Sequence, residues 1–150
     1  MTDMALTPRF ALPLLAMAQA QKEVTHNEAL TLLDALVHAA VEAGPLGEPP
    51  ADPADGQCWI VGATPKGGWA GREHAIALWT TNGWRFASAR SGMQVTRLSD
   101  GALLRFDGAR WAGPRSVMTP KGGSTIDSEA RTALATLILH LAAQGLLIAG

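Results

Sequence analysis

The tryptophans are the side chains of this sequence that are best suited to bind a ligand. The chain has five of them, with three phenylalanines and no tyrosine. Trp69, Trp84 and Trp111 each follow a glycine-containing turn, where an indole ring would be partly exposed and could stack on a sugar or a partner protein. Trp59 and Trp79 lie inside apolar runs, which indicates core positions. We therefore predict carbohydrate binding at Trp69, Trp84 and Trp111; the alternative is that these rings only fill the ends of a small barrel.

Residues that commonly act as nucleophiles or metal ligands do not occur here in patterns typical of catalysis. No serine lies in a Gly-x-Ser-x-Gly sequence. The single cysteine, Cys58, lies in the apolar run CWIV, which predicts a buried thiol. The histidines have no partner at the spacing of a zinc site; they are His26, His38, His74 and His140. We predict no catalytic residue, no metal and no cofactor.

The carboxylates that could form a hydrolase site lie beside glycines or in predicted turns. They are Asp55, Glu73, Asp100 and Asp107. An aspartate at such a position usually shapes the backbone, whereas glycoside hydrolysis needs two carboxylates that converge on one bond. The Lys-Gly-Gly sequences at 66–68 and 121–123 lack the spacing of a phosphate-binding loop. A capsule or cell-wall hydrolase is therefore only an alternative interpretation.

Charge and hydropathy argue against nucleic-acid and membrane partners. The chain has 12 basic and 13 acidic residues without a long run of either sign, so it lacks the basic patch that binds nucleic acid. The apolar run at 133–149 is interrupted by His140 and Gln144 and is shorter than a membrane span of about 20 residues. The N-terminus does not resemble a secretory signal, so we expect synthesis and assembly in the cytoplasm.

The first 43 residues are predicted to form a helical arm. Thr25 and Glu28 have the spacing of a capping box, which places the start of a helix at Thr25. Leu30, Leu33 and Val37 then recur at helical spacing and predict an apolar stripe that continues to residue 41. Residues 44–56 contain four prolines and three glycines and predict an extended linker after this arm.

The segment 57–113 is predicted to be a small antiparallel β-sheet or barrel. Short apolar runs at 58–61, 75–79, 85–87, 94–98, 103–106 and 110–112 are separated by glycine-containing turns. Asn82-Gly83, Asp100-Gly101 and Asp107-Gly108 are typical of hairpins. The sequences WTTNGWRF and FDGARW place an aromatic residue on each side of a turn, which favours cross-strand pairing.

Residues 114–150 are predicted to be a loop followed by a helix that associates with its copies. Ser124, Asp127 and Ser128 are possible N-caps, and Gly145 is a natural stop. Apolar residues then recur at alternating intervals of four and three residues, as they do along the contact surface of associated helices. The predicted interface consists of Leu134, Leu137, Ile138 and Leu141.

Residues 12–36 carry a resemblance to a known family. The matching elements are Leu12-Pro13, Gln19-Ala20-Gln21-Lys22, Asn27-Glu28-Ala29-Leu30 and Leu33-Asp34-Ala35-Leu36, followed by Gly68-Trp69-Ala70-Gly71 and Gly83-Trp84. This pattern resembles a domain-of-unknown-function family of tailed phages, prophages and alphaproteobacterial gene transfer agents, over about the first 110 residues. The resemblance implies a virion component such as a head spike or tail fibre that contacts the host surface or anchors the part that does.

Together these observations predict an α+β protein with an N-terminal arm, a small β-domain and a C-terminal oligomerisation helix. The leading hypothesis is a structural protein of a phage-like particle, bound to other virion proteins and engaging host capsular polysaccharide. A homotrimer is favoured because spikes and fibres are commonly trimeric, and a pentamer at a capsid vertex is the main alternative. A free-standing carbohydrate-binding module is the second functional hypothesis.

Overall fold

Within the residues that the structure describes, two α-helices and ten short strands make this an α+β protein, as predicted. The computed structural model describes residues 5–15, 22–124 and 126–150. In chain order the elements are α1 (Lys22–Leu36), β1 (Ala40–Val41), β2 (Ala43–Leu46), β3 (Cys58–Val61), a 3-10 helix (Gly67–Trp69), β4 (Ile76–Thr80), β5 (Gly83–Ala87), β6 (Gln94–Arg97), β7 (Leu103–Phe106), β8 (Trp111–Ala112), β9 (Arg115–Val117), α2 (Ser128–Ala143) and β10 (Leu147–Ala149).

Eight of the strands form two four-stranded sheets. The tryptophan sheet has the order β2-β3-β4-β5, and the second sheet has the order β1-β6-β7-β8. The predicted hairpins are confirmed, because β3-β4-β5 and β6-β7-β8 pair antiparallel. Each sheet also has a parallel edge pair, β2 with β3 and β1 with β6, which was not predicted. Only Glu42 separates β1 from β2, so the chain crosses from one sheet to the other within a single residue.

Side chains between the two sheets form the main core. Alternate residues of each strand point into it, as the two-residue period of a strand requires. Its buried members are Ala35, Val41, Cys58, Ile60, Ile76, Leu78, Val95, Leu104, Phe106 and Trp111. The intervening residues of β3, Trp59 and Val61, are also buried, on the opposite face of the tryptophan sheet. Both faces of this sheet therefore bury side chains at β3.

Helix α1 differs from its prediction at both ends. It already includes Thr25 as an interior residue, so Thr25 is not the N-cap. It ends at Leu36, and the chain then turns through His38, whose φ is 48°, into β1. The predicted stripe residues Leu33 and Val37 are about half exposed. The helix instead buries the side that carries Asp34 and Ala35, each only 2% exposed.

Asp34 is buried because the N-terminal segment wraps around it. Its carboxylate accepts hydrogen bonds from the Thr7 hydroxyl at 2.8 Å, from the Arg9 backbone N–H at 2.9 Å and from the Phe10 backbone N–H at 2.8 Å. The Arg9 guanidinium donates to the carbonyls of Asp34, Ala35 and His38, which are free at the end of the helix. This network gives the buried oxygens of Asp34 hydrogen-bond donors and ends the helix at the same place.

The proline-rich segment at 44–56 begins as a strand of the tryptophan sheet and only then continues as a linker. Ala43–Leu46 forms β2, and Gly62 donates its N–H to the Leu46 carbonyl at 2.7 Å. Arg97 of the second sheet donates to the Gly44 carbonyl at 3.2 Å. The predicted boundary at residue 44 is therefore wrong for residues 44–46, because pairing with β3 satisfies backbone groups that the sequence pattern assigned to solvent.

The C-terminal residues form a β-α-β unit, which we call the C-terminal unit (residues 114–150). Asp127 is the N-cap of α2 and accepts the N–H of Ala130 at 2.8 Å, in agreement with one of the three predicted caps. The helix stops before Gly145, whose φ is 68°. Gly145 also accepts the N–H of Leu103 at 3.0 Å and so ties the unit to β7. No helix within the described residues is long and apolar enough to cross a membrane.

Candidate functional site

Four of the five tryptophans meet on the outer face of the tryptophan sheet. This tryptophan cluster consists of Trp59 on β3, Trp79 on β4, Trp84 on β5 and Trp69 of the 3-10 helix. Trp79 and Trp84 are direct cross-strand partners in the β4–β5 hairpin, as the symmetry of WTTNGW around its turn predicts. Because alternate residues share a face, the same hairpin also brings Phe86 to this side.

Trp84 is the centre of the cluster. Its ring centroid lies 4.9 Å from Trp79, 5.2 Å from Trp69 and 5.7 Å from Trp59. The interplanar angles are 66°, 80° and 76°, so all three contacts are edge-to-face, which is a favourable geometry for aromatic pairs. Trp79 and Trp84 both keep part of their surface in solvent. The cluster therefore presents two rigidly held, partly exposed indoles.

Trp69 lies beneath this surface and is fully buried. Its side chain is 0% exposed, and its Nε1–H has no acceptor among the described residues. The prediction that Trp69 is partly exposed is therefore wrong. The reason is long-range, since the 3-10 helix folds over the outer face of the sheet and inserts Trp69 against Trp84. Trp69 supports the site without offering a stacking face.

Trp111 lies in a different part of the molecule. It is 7% exposed in the main core, where its ring is 5.4 Å from Phe106, its cross-strand partner. Its Nε1–H donates to the His74 carbonyl at 2.8 Å. The prediction of an exposed ring is wrong here too, because the face of β8 that carries Trp111 turns toward the main core. Of the three predicted residues, only Trp84 has a surface that a ligand can reach, and Trp79 joins it.

A cavity of about 380 Å³ lies on the other side of the β4–β5 hairpin, between α1 and the N-terminal segment. Charged side chains line it where α1 meets the hairpin. There Glu28 forms an ion pair with Arg85 at 3.5 Å, and Asp55 accepts the N–H of Thr81 at 2.9 Å. The carboxylates of Glu28 and Asp55 are therefore used to join α1, the segment before β3 and the hairpin.

Asp100 and Asp107, two of the other candidate carboxylates, also shape turns, as their positions beside glycine predict. The Arg97 guanidinium hydrogen-bonds Asp100 and lowers the pKa of that carboxyl to about 2. Backbone N–H groups of Ala109 and Arg110, each 2.8 Å from Asp107, lower the pKa of Asp107 as well. Both groups hold hairpin turns of the second sheet in place.

Cys58 is a buried thiol, as predicted. It is 2% exposed in the main core. Burial raises its pKa to about 11, so the thiol stays protonated near neutral pH. A protonated, enclosed thiol is a poor nucleophile.

The predicted interface residues of α2 divide into two groups. Leu134 and Leu137 are 45% and 53% exposed, and Leu141 is partly exposed. Ile138 is only 7% exposed, so its inclusion in an intermolecular surface is wrong: its side chain is already enclosed by its own chain. The helix turns Ile138 inward and leaves the neighbouring leucine row uncovered. We call Leu134, Leu137 and Leu141 the α2 leucine row.

Comparison with known proteins gives one family. A family model described as a protein of unknown function, DUF2793, matches residues 26–112, which is more than half of the 150-residue chain. No curated protein matches the chain. The matched region extends from α1 to the end of β8, so it includes both four-stranded sheets and the whole tryptophan cluster. The C-terminal unit lies outside it.

Proposed function

We propose that this chain, which belongs to the family of unknown function DUF2793, is a structural subunit of a phage-like particle. In this role it attaches the particle to host surface polysaccharide. In this proposal several copies associate through the C-terminal unit, and the β-domain is presented outward. The virion assignment is supported by the resemblance of the N-terminal segment to proteins of tailed phages, prophages and gene transfer agents.

One observation carries the proposal: the α2 leucine row is exposed on the single chain. A leucine or isoleucine side chain is stabilised by about 1.5–3 kcal/mol when it is fully buried, so a row of leucines in water favours association. Spike and fibre subunits work in several copies around an axis, and a self-associating segment beside a compact domain suits that use. A trimer is the favoured assembly and a pentamer the alternative.

The tryptophan cluster is the proposed point of contact with the polysaccharide. A sugar presents flat C–H faces that stack on indole rings, and Trp84 with Trp79 offers such a surface. Three edge-to-face contacts hold Trp84 in one orientation, so little conformational entropy is lost when a ligand binds. The Arg72 guanidinium lies 5.0 Å from the Phe86 ring on the same face and adds a cation beside it.

Replacement of Trp84 by alanine is expected to weaken binding of host capsular oligosaccharide at least tenfold, which corresponds to about 1.4 kcal/mol. The reason is that the variant removes the central stacking ring. Isothermal titration calorimetry measures the affinity of each variant for the oligosaccharide. Trp111→Phe is the matched control, because it removes a tryptophan from the main core and leaves the cluster unchanged. If the parent chain binds no host glycan, the proposed sugar contact is wrong.

Replacement of Leu137 by aspartate is expected to dissociate the assembly, because it places an unpaired charge within the α2 leucine row. Light scattering coupled to gel filtration measures the mass in solution. Thr136→Asp is the control, since Thr136 lies on the same helix but away from the leucine row. A parent chain that is monomeric at high concentration would contradict association through α2.

The virion assignment itself needs a separate experiment. Electron microscopy of purified particles, with an antibody against the β-domain, is expected to place the subunit on capsid vertices or at the tail tip. Absence of the protein from particles that the same cell releases would contradict the proposal and would favour a free-standing carbohydrate-binding module.

A further inference from the structure

The strands of the C-terminal unit form a sheet that is incomplete in a single chain. Strands β9 and β10 pair parallel, with Arg115 opposite Leu147 and Val117 opposite Ala149. Among the described residues neither strand has a second neighbour, so both outer edges of this sheet are open. Parallel sheets are normally covered on both faces, and two strands alone are marginally stable in water. The unit therefore needs further partners.

Much of the surface around this sheet is apolar, and Arg115 is the one charged residue of its two strands. Every residue of β9 is exposed, and Ile148 of β10 is 54% exposed. Next to the strands, Met118 and Leu146 are 67% and 51% exposed. Exposed edge strands in soluble proteins usually carry charged residues that prevent pairing with other chains. From Thr132 to Gly150 this chain has no Asp, Glu, Lys or Arg, so β10 lacks that protection.

A lipid surface fits these residues poorly. Helices that lie in a membrane interface usually carry lysine and arginine along their polar face. Helix α2 has a single arginine, Arg131, and its guanidinium is bonded to the carbonyls of Pro120 and Gly122 in its own loop. At 16 residues it is also shorter than a bilayer core, about 24 Å against about 30 Å. A surface with so few charges fits another surface with few charges best, and a second copy supplies one.

We infer that the open sheet is completed by other copies of this chain, so that the β10 edge of one copy pairs with the β9 edge of the next. This inference rests on the proposed self-association, for which it names the contact, and does not depend on the sugar contact. Head-to-tail pairing around a closed ring leaves no edge open, whereas pairing of two β10 edges would leave both β9 edges unpaired. A closed ring of three copies, the favoured number, would contain six paired strands with the α2 helices packed around them.

The hydrogen bonds of β10 show which backbone group faces the open edge. Gly150 donates its N–H to the Val117 carbonyl at 3.0 Å, toward β9. Because N–H groups alternate in direction along a strand, the N–H of Ala149 points away from β9. Proline at 149 would remove that donor, and an edge strand tolerates proline where its N–H faces solvent. Ala149→Pro therefore tests the pairing between copies while the bonds within the chain remain.

The full-length chain with Ala149→Pro is expected to lose the oligomer and to elute with the mass of a single chain, with an unchanged far-ultraviolet circular dichroism spectrum. Ala149→Val keeps the N–H and is expected to keep the oligomer. If Ala149→Pro forms the same oligomer as the parent, the inference is wrong, while the proposed association through α2 stands and is tested by Leu137→Asp. A parent chain that is monomeric, or that associates only with lipid vesicles, overturns the inference as well.

Cysteine pairing between two single variants tests the head-to-tail order. Ala149→Cys mixed with Ser116→Cys or Val117→Cys, and then oxidised, is expected to give a disulfide between chains of different type. Cys58 contributes little background, because it is buried and protonated. Disulfide dimers formed by Ala149→Cys alone, or no disulfide in either mixture, would overturn the proposed order.

Discussion

Replacing Trp69 with alanine is expected to lower the free energy of unfolding by about 3–5 kcal/mol, the usual cost of truncating a large buried aromatic side chain. Trp69 is 0% exposed, and it closes the outer face of the tryptophan sheet over Trp84. The loss is a large part of the stability of a small domain, which is about 5–15 kcal/mol in total. Urea denaturation followed by circular dichroism measures the change.

The same substitution is expected to abolish sugar binding, although Trp69 itself offers no surface to a ligand. Without it, Trp84 loses its ring contact at 5.2 Å and its fixed orientation. Trp69→Phe is the control: it keeps an aromatic ring, and the Nε1–H that it removes has no acceptor among the described residues. We expect this variant to lose less than half as much stability as Trp69→Ala. A change below about 1 kcal/mol in Trp69→Ala would contradict the proposed packing.

Replacing Gly44 with alanine is expected to destabilise the protein by about 3 kcal/mol or more, from backbone strain and overpacking together. The φ angle of Gly44 is 131°, which L-residues rarely adopt. An added Cβ would also lie 2.6 Å from the Ile60 carbonyl oxygen and 2.8 Å from the Ile60 Cβ. Strand β2 must therefore move away from β3, and the hydrogen bond from Arg97 to the Gly44 carbonyl is disturbed.

Gly71→Ala is the matched control for Gly44→Ala. Gly71 also has a positive φ, 74°, but among the described residues no atom outside its two chain neighbours lies within 4 Å of the place that an added Cβ would take. Its substitution should cost only about 1 kcal/mol, the conformational part of the effect. Amide hydrogen exchange in β3 should accelerate in Gly44→Ala and not in Gly71→Ala. Equal stability losses in the two variants would show that the contact with Ile60 contributes nothing.

The elements that were predicted correctly depend on interactions between residues close in sequence. The β-hairpins follow from turn residues between apolar runs, and the pairs Trp79–Trp84 and Phe106–Trp111 follow from symmetry about those turns. The N-cap at Asp127 is a contact across three residues. Such signals are contained in a short window of sequence, so local physical chemistry is enough to read them.

The site was predicted only in part, because exposure is not a local property. Trp69 and Trp84 follow similar glycine-containing turns, yet one is fully buried and the other is partly exposed. The apolar run around Trp79 predicts a core position, although its place opposite Trp84 puts it on the same face as that partly exposed ring. The symmetry of WTTNGW around the turn was the signal that could have joined them in one site.

The sequence alone determined the α+β class, the strands from β3 to β8, helix α2 and the family, because each rests on local patterns or on a continuous match. Only the tertiary structure decided that Asp34 is buried and Leu33 exposed, that residues 43–46 join a sheet, and which indoles face solvent. These outcomes depend on partners far along the chain: Thr7 and Arg9 for Asp34, β3 for β2, and the fold of the 3-10 helix for Trp69. Local propensity is too weak to specify such contacts. They are selected by the burial of side chains when distant parts of the chain pack together.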